Sequence, residues 1–142
     1  MSIKVEIVTP MRKAFEGEVN QVQVPGWLGE LGVLPGHAAL LALSRAGVAT
    51  LHAANGTLTV DKEPAEIKGD RRLVLGPGFV EVNATSVTLV VDLCEDGVGV
   101  DKTAAAAALQ KAEAELSKAE PNTAAWTLAQ RQADLARARL AV

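Results

Sequence analysis

The sequence predicts an α+β chain. An antiparallel β-sandwich or flattened barrel over residues 1–95 is followed by a glycine-containing linker over 96–101 and an antiparallel two-helix hairpin over 102–142. Three observations carry this reading. Up to about residue 93 apolar residues alternate with polar ones at a period of two, as in strands with one buried and one wetted face. Beyond residue 100 alanine dominates, and apolar residues recur at helical spacing. Between these regions, Gly97 and Gly99 interrupt both patterns.

Taken in order, Ile3, Val5 and Ile7 alternate with Lys4 and Glu6 to open the first strand. Val22 and Val24 alternate with Gln21 and Gln23, and Val87, Leu89 and Val91 form a similar stripe near the end of the β region. Asn55-Gly56, between Val48–His52 and Thr57–Val60, predicts a two-residue hairpin turn. Pro25-Gly26, Lys68-Gly69-Asp70 and Gly76-Pro77-Gly78 predict further turns. The segment from Gly29 to Leu41 packs three glycines and a proline into its first eight residues. It reads as a shaped loop that displays one carboxylate, Glu30, and one imidazole, His37. The charged stretch from Asp61 to Arg72 forms either an extended exposed loop or the lengthened ends of two strands.

Asp101 can cap a first helix, whose stripe of Ala105, Leu109, Ala112, Leu116 and Ala119 lies opposite Lys111, Glu115 and Lys118. Pro121-Asn122-Thr123 breaks it, and Asn122 or Thr123 caps a second helix running to about Leu140. On that helix Trp126, Ala129, Ala133, Ala136 and Leu140 share one stripe, while Leu128 and Leu135 fall on the other side. One stripe meets the first helix. The other calls for a second surface, the sandwich or a partner. Alanine buries little area at about 25 cal/mol per Å², so the hairpin is expected to be loosely held.

Composition narrows the function. The chain has 142 residues, nearly half of them apolar, so a true core can form, although it holds only two Trp, two Phe and no Tyr. A net charge of −3 argues against nucleic acid or a strongly anionic membrane surface as the main partner. No apolar stretch approaches the roughly 20 residues that span a bilayer, and the N-terminus lacks the apolar core of a secretory signal, so a soluble intracellular protein is expected. The single cysteine, Cys94, allows no internal disulfide and reads as a small core residue. His37 and His52 lack the partners at ligand spacing that a metal site or a metal-dependent barrel enzyme needs. A free-standing ligand-binding module with the helices as a lid is a third class.

The run Gly29-Glu30-Leu31-Gly32-Val33-Leu34-Pro35-Gly36-His37-Ala38-Ala39-Leu40-Leu41 resembles the signature G-E-L-G-x-x-P-G-H-A-x-L-L of the epsilon subunit of rotary F-type ATP synthases. The resemblance extends along the chain, through Ile3–Pro10 with Phe15-Glu16-Gly17 and through Gly76–Val82. It departs at Ala39, where the family often has proline. It implies a sandwich of about ten strands with a C-terminal helix pair, and a rotor subunit of the proton-translocating synthase without an active site of its own. The family's sandwich binds the gamma subunit and rests on the polar loops of the membrane-embedded c-subunit ring. Its hairpin can leave the sandwich and reach the catalytic beta and alpha subunits, where it blocks ATP hydrolysis. Peripheral attachment to the cytoplasmic face of a bacterial plasma membrane follows from the same resemblance.

Carried over residue by residue, the resemblance makes Gly29, Glu30, Leu31, Gly36 and His37 the loop facing gamma and the c-ring. Glu30 would face basic c-ring loops, and His37 would orient the loop or touch gamma. Arg131, Arg137 and Arg139 would meet acidic segments of the beta subunits, although cations also suit a helix C-terminus. Some family members bind ATP through a motif similar to I/L-D-x-x-R-A. Here it reads Val100-Asp101-Lys102-Thr103-Ala104-Ala105. Asp101 is kept and Lys102 offers a partial substitute, but Ala104 replaces the guanidinium that would pair a phosphate, so no cofactor is expected.

Overall fold

The computed structural model describes residues 2–60 and 63–142. Ten strands precede two helices: β1 (Ile3–Val8), β2 (Lys13–Val19), β3 (Gln21–Gly26), β4 (Gly29–Val33), β5 (Leu40–Ser44), β6 (Gly47–Leu58), β7 (Ala65–Leu75), β8 (Gly78–Val82), β9 (Ser86–Val91) and β10 (Cys94–Asp96), then α1 (Lys102–Lys118) and α2 (Ala124–Ala141). The strands run β10-β7-β6-β2-β1-β9-β8-β5-β3-β4, and β3 also pairs with β6, so the sheet folds back on itself. Pairing is antiparallel except between β1 and β9, which run parallel. The alternating side chains meet inside this fold. Ile3, Ile7, Phe15, Leu51, Leu73, Leu75 and Leu89 are fully buried in one core.

Several local turn signals are overruled by pairing between distant strands. Asn55-Gly56 is no turn, because β6 runs straight through it. Gly56 lies opposite Gly17 of β2, and a Cβ at Gly56 would stand 2.6 Å from the Gly17 Cα. These glycines let two strands approach closely. Lys68-Gly69-Asp70 likewise lies inside β7. It faces a bulge in β6, where the register shifts between Leu51 and Ala54, Ala53 takes φ 51° and Gly69 takes φ +106°. The Asp70 carboxylate accepts a hydrogen bond from the Ala53 backbone at 2.8 Å and holds the bulge. Of the charged stretch 61–72, Asp61 and Lys62 lie outside the described residues, and from Ala65 onward it lengthens β7.

Pro25-Gly26 ends β3, and the chain reverses one step later, at Trp27-Leu28. The expectation of an irregular loop over 29–41 is also corrected. Gly29–Val33 is strand β4, paired with β3 from Gly26↔Gly29 to Val22↔Val33. Gly29 starts it at φ +129°, and only 34–39 stays irregular. Gly76-Pro77 does separate β7 from β8, which Gly78 opens.

Both helices carry their expected caps. The Asp101 carboxylate accepts from the Ala104 N–H at 3.0 Å, and the Thr123 hydroxyl from the Trp126 N–H at 3.2 Å. Asn122 takes φ 66° and turns the chain rather than capping it. α1 buries Ala105 and Ala112, and α2 buries Ala129, Ala133 and Ala136. Of the two leucines on the other side of α2, Leu135 meets the sandwich in a small separate cluster with Val74, Ala46, Val48 and Leu93. Leu128 stays exposed. Before α1, the Gly97 N–H donates to the Arg72 carbonyl at 2.9 Å, so in this state sheet-like contact continues past β10.

Candidate functional site

Two surfaces stand out: an apolar corner at one edge of the sandwich, and the face against which α2 docks. The corner begins where β3 turns into β4. Trp27 is 62 % exposed and Leu28 wholly so, and the Trp27 N–H donates to the Leu43 carbonyl at 3.0 Å. On β8 the odd positions turn outward, since Val80 and Val82 are buried. Phe79 is therefore exposed beside its β5 partner Leu43, and Leu41 follows opposite Glu81. β3 and β5 share a single pair, Gly26↔Ser44. At this edge Trp27, Leu28, Leu31, Leu40 and Leu43 line a hollow of about 510 Å³, with Glu30 at its side. The Arg45 guanidinium lies 5.8 Å from the Trp27 ring centroid, within range of a cation–π contact.

β4 separates the loop residues singled out in the sequence into two groups. Gly29, Glu30 and Leu31 sit at the apolar corner. Gly36 and His37 lie beyond the other end of the strand, roughly 16 Å along at the usual strand rise. There the Gly36 N–H donates to the Ala84 carbonyl at 2.9 Å and takes φ +83°. The His37 Nδ1–H donates to the Ala38 carbonyl at 2.7 Å, which orients the ring within its own loop.

The three arginines of α2 all meet carboxylates. Arg131 Nη2 donates to Asp92 Oδ2 at 2.7 Å. Arg139 makes a bidentate pair with Glu95, Nε to Oε1 at 2.8 Å and Nη2 to Oε2 at 2.7 Å. This hydrogen bonding raises the Arg139 pKa further, against a smaller opposing effect of burial. Arg137 bonds Asp134 of its own helix at 3.2 Å and lies 3.5 Å from Glu113 of α1. Lys102 Nζ donates to the carbonyls of Arg139 and Leu140, each at 2.9 Å, and to that of Val142, capping the free end of α2.

Asp101 and Ala104 line a cavity of about 500 Å³ between the linker and the hairpin, together with Glu95, Asp96 and Arg139. Its carboxylates outnumber its guanidinium, which Glu95 already holds. Cys94 borders the same cavity and belongs to the main core. Burial first, then the neighbouring Asp96 and Glu95 carboxylates, push its thiol up to about 12, so it stays protonated at neutral pH. His52 Nε2 lies 3.1 Å from Gln23 Oε1. Among the described residues, no three His, Cys, Asp or Glu side chains gather to hold a metal ion, and no helix is long and apolar enough to cross a membrane.

Sequence reasoning missed the exposed apolar set and the docking carboxylates. The run Leu40-Leu41-Ala42-Leu43, apolar on both faces of its strand, was a usable signal for the first. Nothing local marks Asp92 and Glu95, whose partners lie 39 and 44 residues away.

A sequence profile of the ATP synthase delta/epsilon chain β-sandwich domain matches residues 2–97. The ATP synthase epsilon chain of Synechococcus sp. strain WH7803 is 35 % identical over 142 residues, covering 99 % of this chain and 95 % of that one. The chain belongs to the ATP synthase epsilon-chain family. The epsilon chain of Bradyrhizobium sp. strain BTAi1 is 33 % identical over 117 residues, 82 % of this chain and 77 % of the relative. Among solved structures, a chain of the Euglena gracilis mitochondrial ATP synthase (OSCP/F1/c-ring, rotational state 1) shares the fold at a TM-score of 0.75 and 18 % identity, covering 99 % of this chain and 80 % of that one. The epsilon-family fold is thus present with both its sandwich and its helix pair.

Proposed function

We propose that this epsilon-family chain is a non-catalytic central-stalk subunit of a proton-translocating ATP synthase. It joins gamma to the c-ring at the cytoplasmic face of a bacterial plasma membrane, to which it is peripheral. Its C-terminal helices restrain ATP hydrolysis by the beta and alpha subunits.

One observation carries the adaptor role: exposed Trp27, Leu28, Leu41, Leu43 and Phe79 on a stiff, folded sheet. Clustered apolar and aromatic side chains of this kind mark a surface that a partner covers. The outward stripe of Leu41, Leu43 and Phe79, with His37 nearby in sequence, grips gamma. The turn from Trp27 to Leu31 presents Glu30 to basic c-ring loops. Nucleotide binding is not part of the proposal. Ala104 offers no phosphate partner, and Asp101 and Lys102 are engaged at helix ends.

Co-purification with gamma tests the grip. Replacing Leu43 and Phe79 together with Asp should weaken the complex at least tenfold while leaving the fold intact by circular dichroism. Undiminished binding would overturn the assignment of this face. For the inhibitory role, removing residues 102–142 should raise hydrolysis by the assembled complex, and an unchanged rate would remove that role.

A further inference from the structure

We infer that the cleft between α2 and the sandwich is a binding site for a small planar aromatic phosphate. The ring lies against Trp27 and Trp126, and Arg45, Arg72 and Arg137 hold the phosphate. The inference goes beyond the stalk reading and does not depend on it.

Two adjoining hollows make the cleft. One, of about 340 Å³, is lined by Trp27, Pro77 and Trp126. The other, of about 510 Å³, is lined by Arg72 and Arg137. Arg45, Ala46 and Asp134 line both, so the two are continuous. On the helical wall Trp126, Gln130, Asp134 and Ala138 recur every four residues, which makes that wall about 18 Å long. Neither hollow shares a lining residue with the cavity at Asp101 and Ala104.

The aromatic end is marked by composition. The chain has two tryptophans, and both border this one hollow. Indole faces beside a proline ring accept a flat ring by stacking. The other end is marked by charge. Arg71, Arg131, Arg137 and Arg139 each meet a carboxylate. Arg45 and Arg72 meet none among the described residues, and both line the cleft. Arg45 instead rests over Trp27, 5.8 Å from the ring centroid, and so belongs to both ends. Of the two carboxylates on the lining, Glu30 and Asp134, the second is already engaged. Gln130 at 3.0 Å and Arg137 at 3.2 Å both donate to its Oδ1.

Guanidinia gathered without matching carboxylates repel one another, and a dianion that accepts paired bonds from them relieves this. Inorganic phosphate leaves the tryptophans unused, and an uncharged ring leaves the guanidinia unused. A ligand with both parts fills the whole cleft.

The test is calorimetric titration of the full-length chain at low salt with naphthyl phosphate, naphthol and inorganic phosphate. Naphthyl phosphate should bind one-to-one and at least tenfold tighter than either of the others. In an NMR spectrum of the nitrogen-labelled chain, both indole N–H signals should shift on binding. Arg45→Gln with Arg72→Gln should weaken naphthyl phosphate at least tenfold. Trp126→Ala should weaken it at least fivefold, with both variants folded by circular dichroism. Asp101→Asn, in the cavity at the linker, should leave the affinity within twofold. The inference is overturned if naphthyl phosphate binds no tighter than naphthol, or if the double arginine variant binds it unchanged. It is equally overturned if only one indole signal moves, or if Asp101→Asn abolishes binding.

Discussion

The sandwich and the hairpin are held by different means. Inside the sandwich, Phe15, Ile3, Ile7, Leu51 and Leu89 are wholly buried. Each large side chain contributes on the order of 1.5–3 kcal/mol by leaving water. The buried residues of the hairpin are alanines with the single exception of Leu135, itself 8 % exposed. What alanine cannot supply by area, half-exposed ion pairs supply in part, each worth at most about 1 kcal/mol at such exposure. One half of the chain is therefore a rigid body. The other is an arm held through little buried area, expected to open at a lower cost than the sandwich.

Substitutions can sharpen or break this contrast. Phe15→Ala should have the largest effect, costing about 3–5 kcal/mol of global stability and shifting the whole unfolding transition in denaturant. Leu135→Ala should cost about 2 kcal/mol, yet its effect should appear in the local opening of α2, with the unfolding of the sheet nearly unchanged. A large global loss at Leu135 would mean that the two halves share one core.

The last effect concerns Cys94 and is absent at neutral pH. Its thiol has a pKa raised from 9.0 to about 12, so the folded chain keeps a proton that the unfolded chain releases. The corresponding stability is complete below pH 9 and is lost as pH rises towards 12, at no more than about 1.4 kcal/mol per pH unit. Cys94→Ala should flatten that alkaline slope in a series of denaturant melts, and an unaltered slope would mean that the thiol is not held by the core.

Much of this contrast was legible in residue order. Alternation at Ile3–Ile7 and Val87–Val91 located strands, the stripe through Ala105 and Leu116 located the buried side of α1, and Asp101 and the pair Asn122-Thr123, of which Thr123 is the cap, announced the helix starts. The misreadings share a cause. Gly56, Gly69 and Gly29 look like turn formers, but each answers to strand pairing: Gly56 to a close crossing with Gly17, Gly69 to a bulge opposite Ala53, and Gly29 to the start of an edge strand. Glycine reports that a backbone constraint exists without saying whether the constraint is local. The site divides in the same way. The motif from Gly29 to Leu41 was visible as a pattern, whereas the docking of Arg131 and Arg139 depends on a sheet edge that exists only once the chain has folded.

The most direct measurement is native-state amide hydrogen exchange on the intact chain. The account predicts that α1 and α2 exchange through a shared opening much less costly than the global one, while β1, β2 and β9 exchange only on complete unfolding. Helices and central strands exchanging at one common slow limit would contradict it.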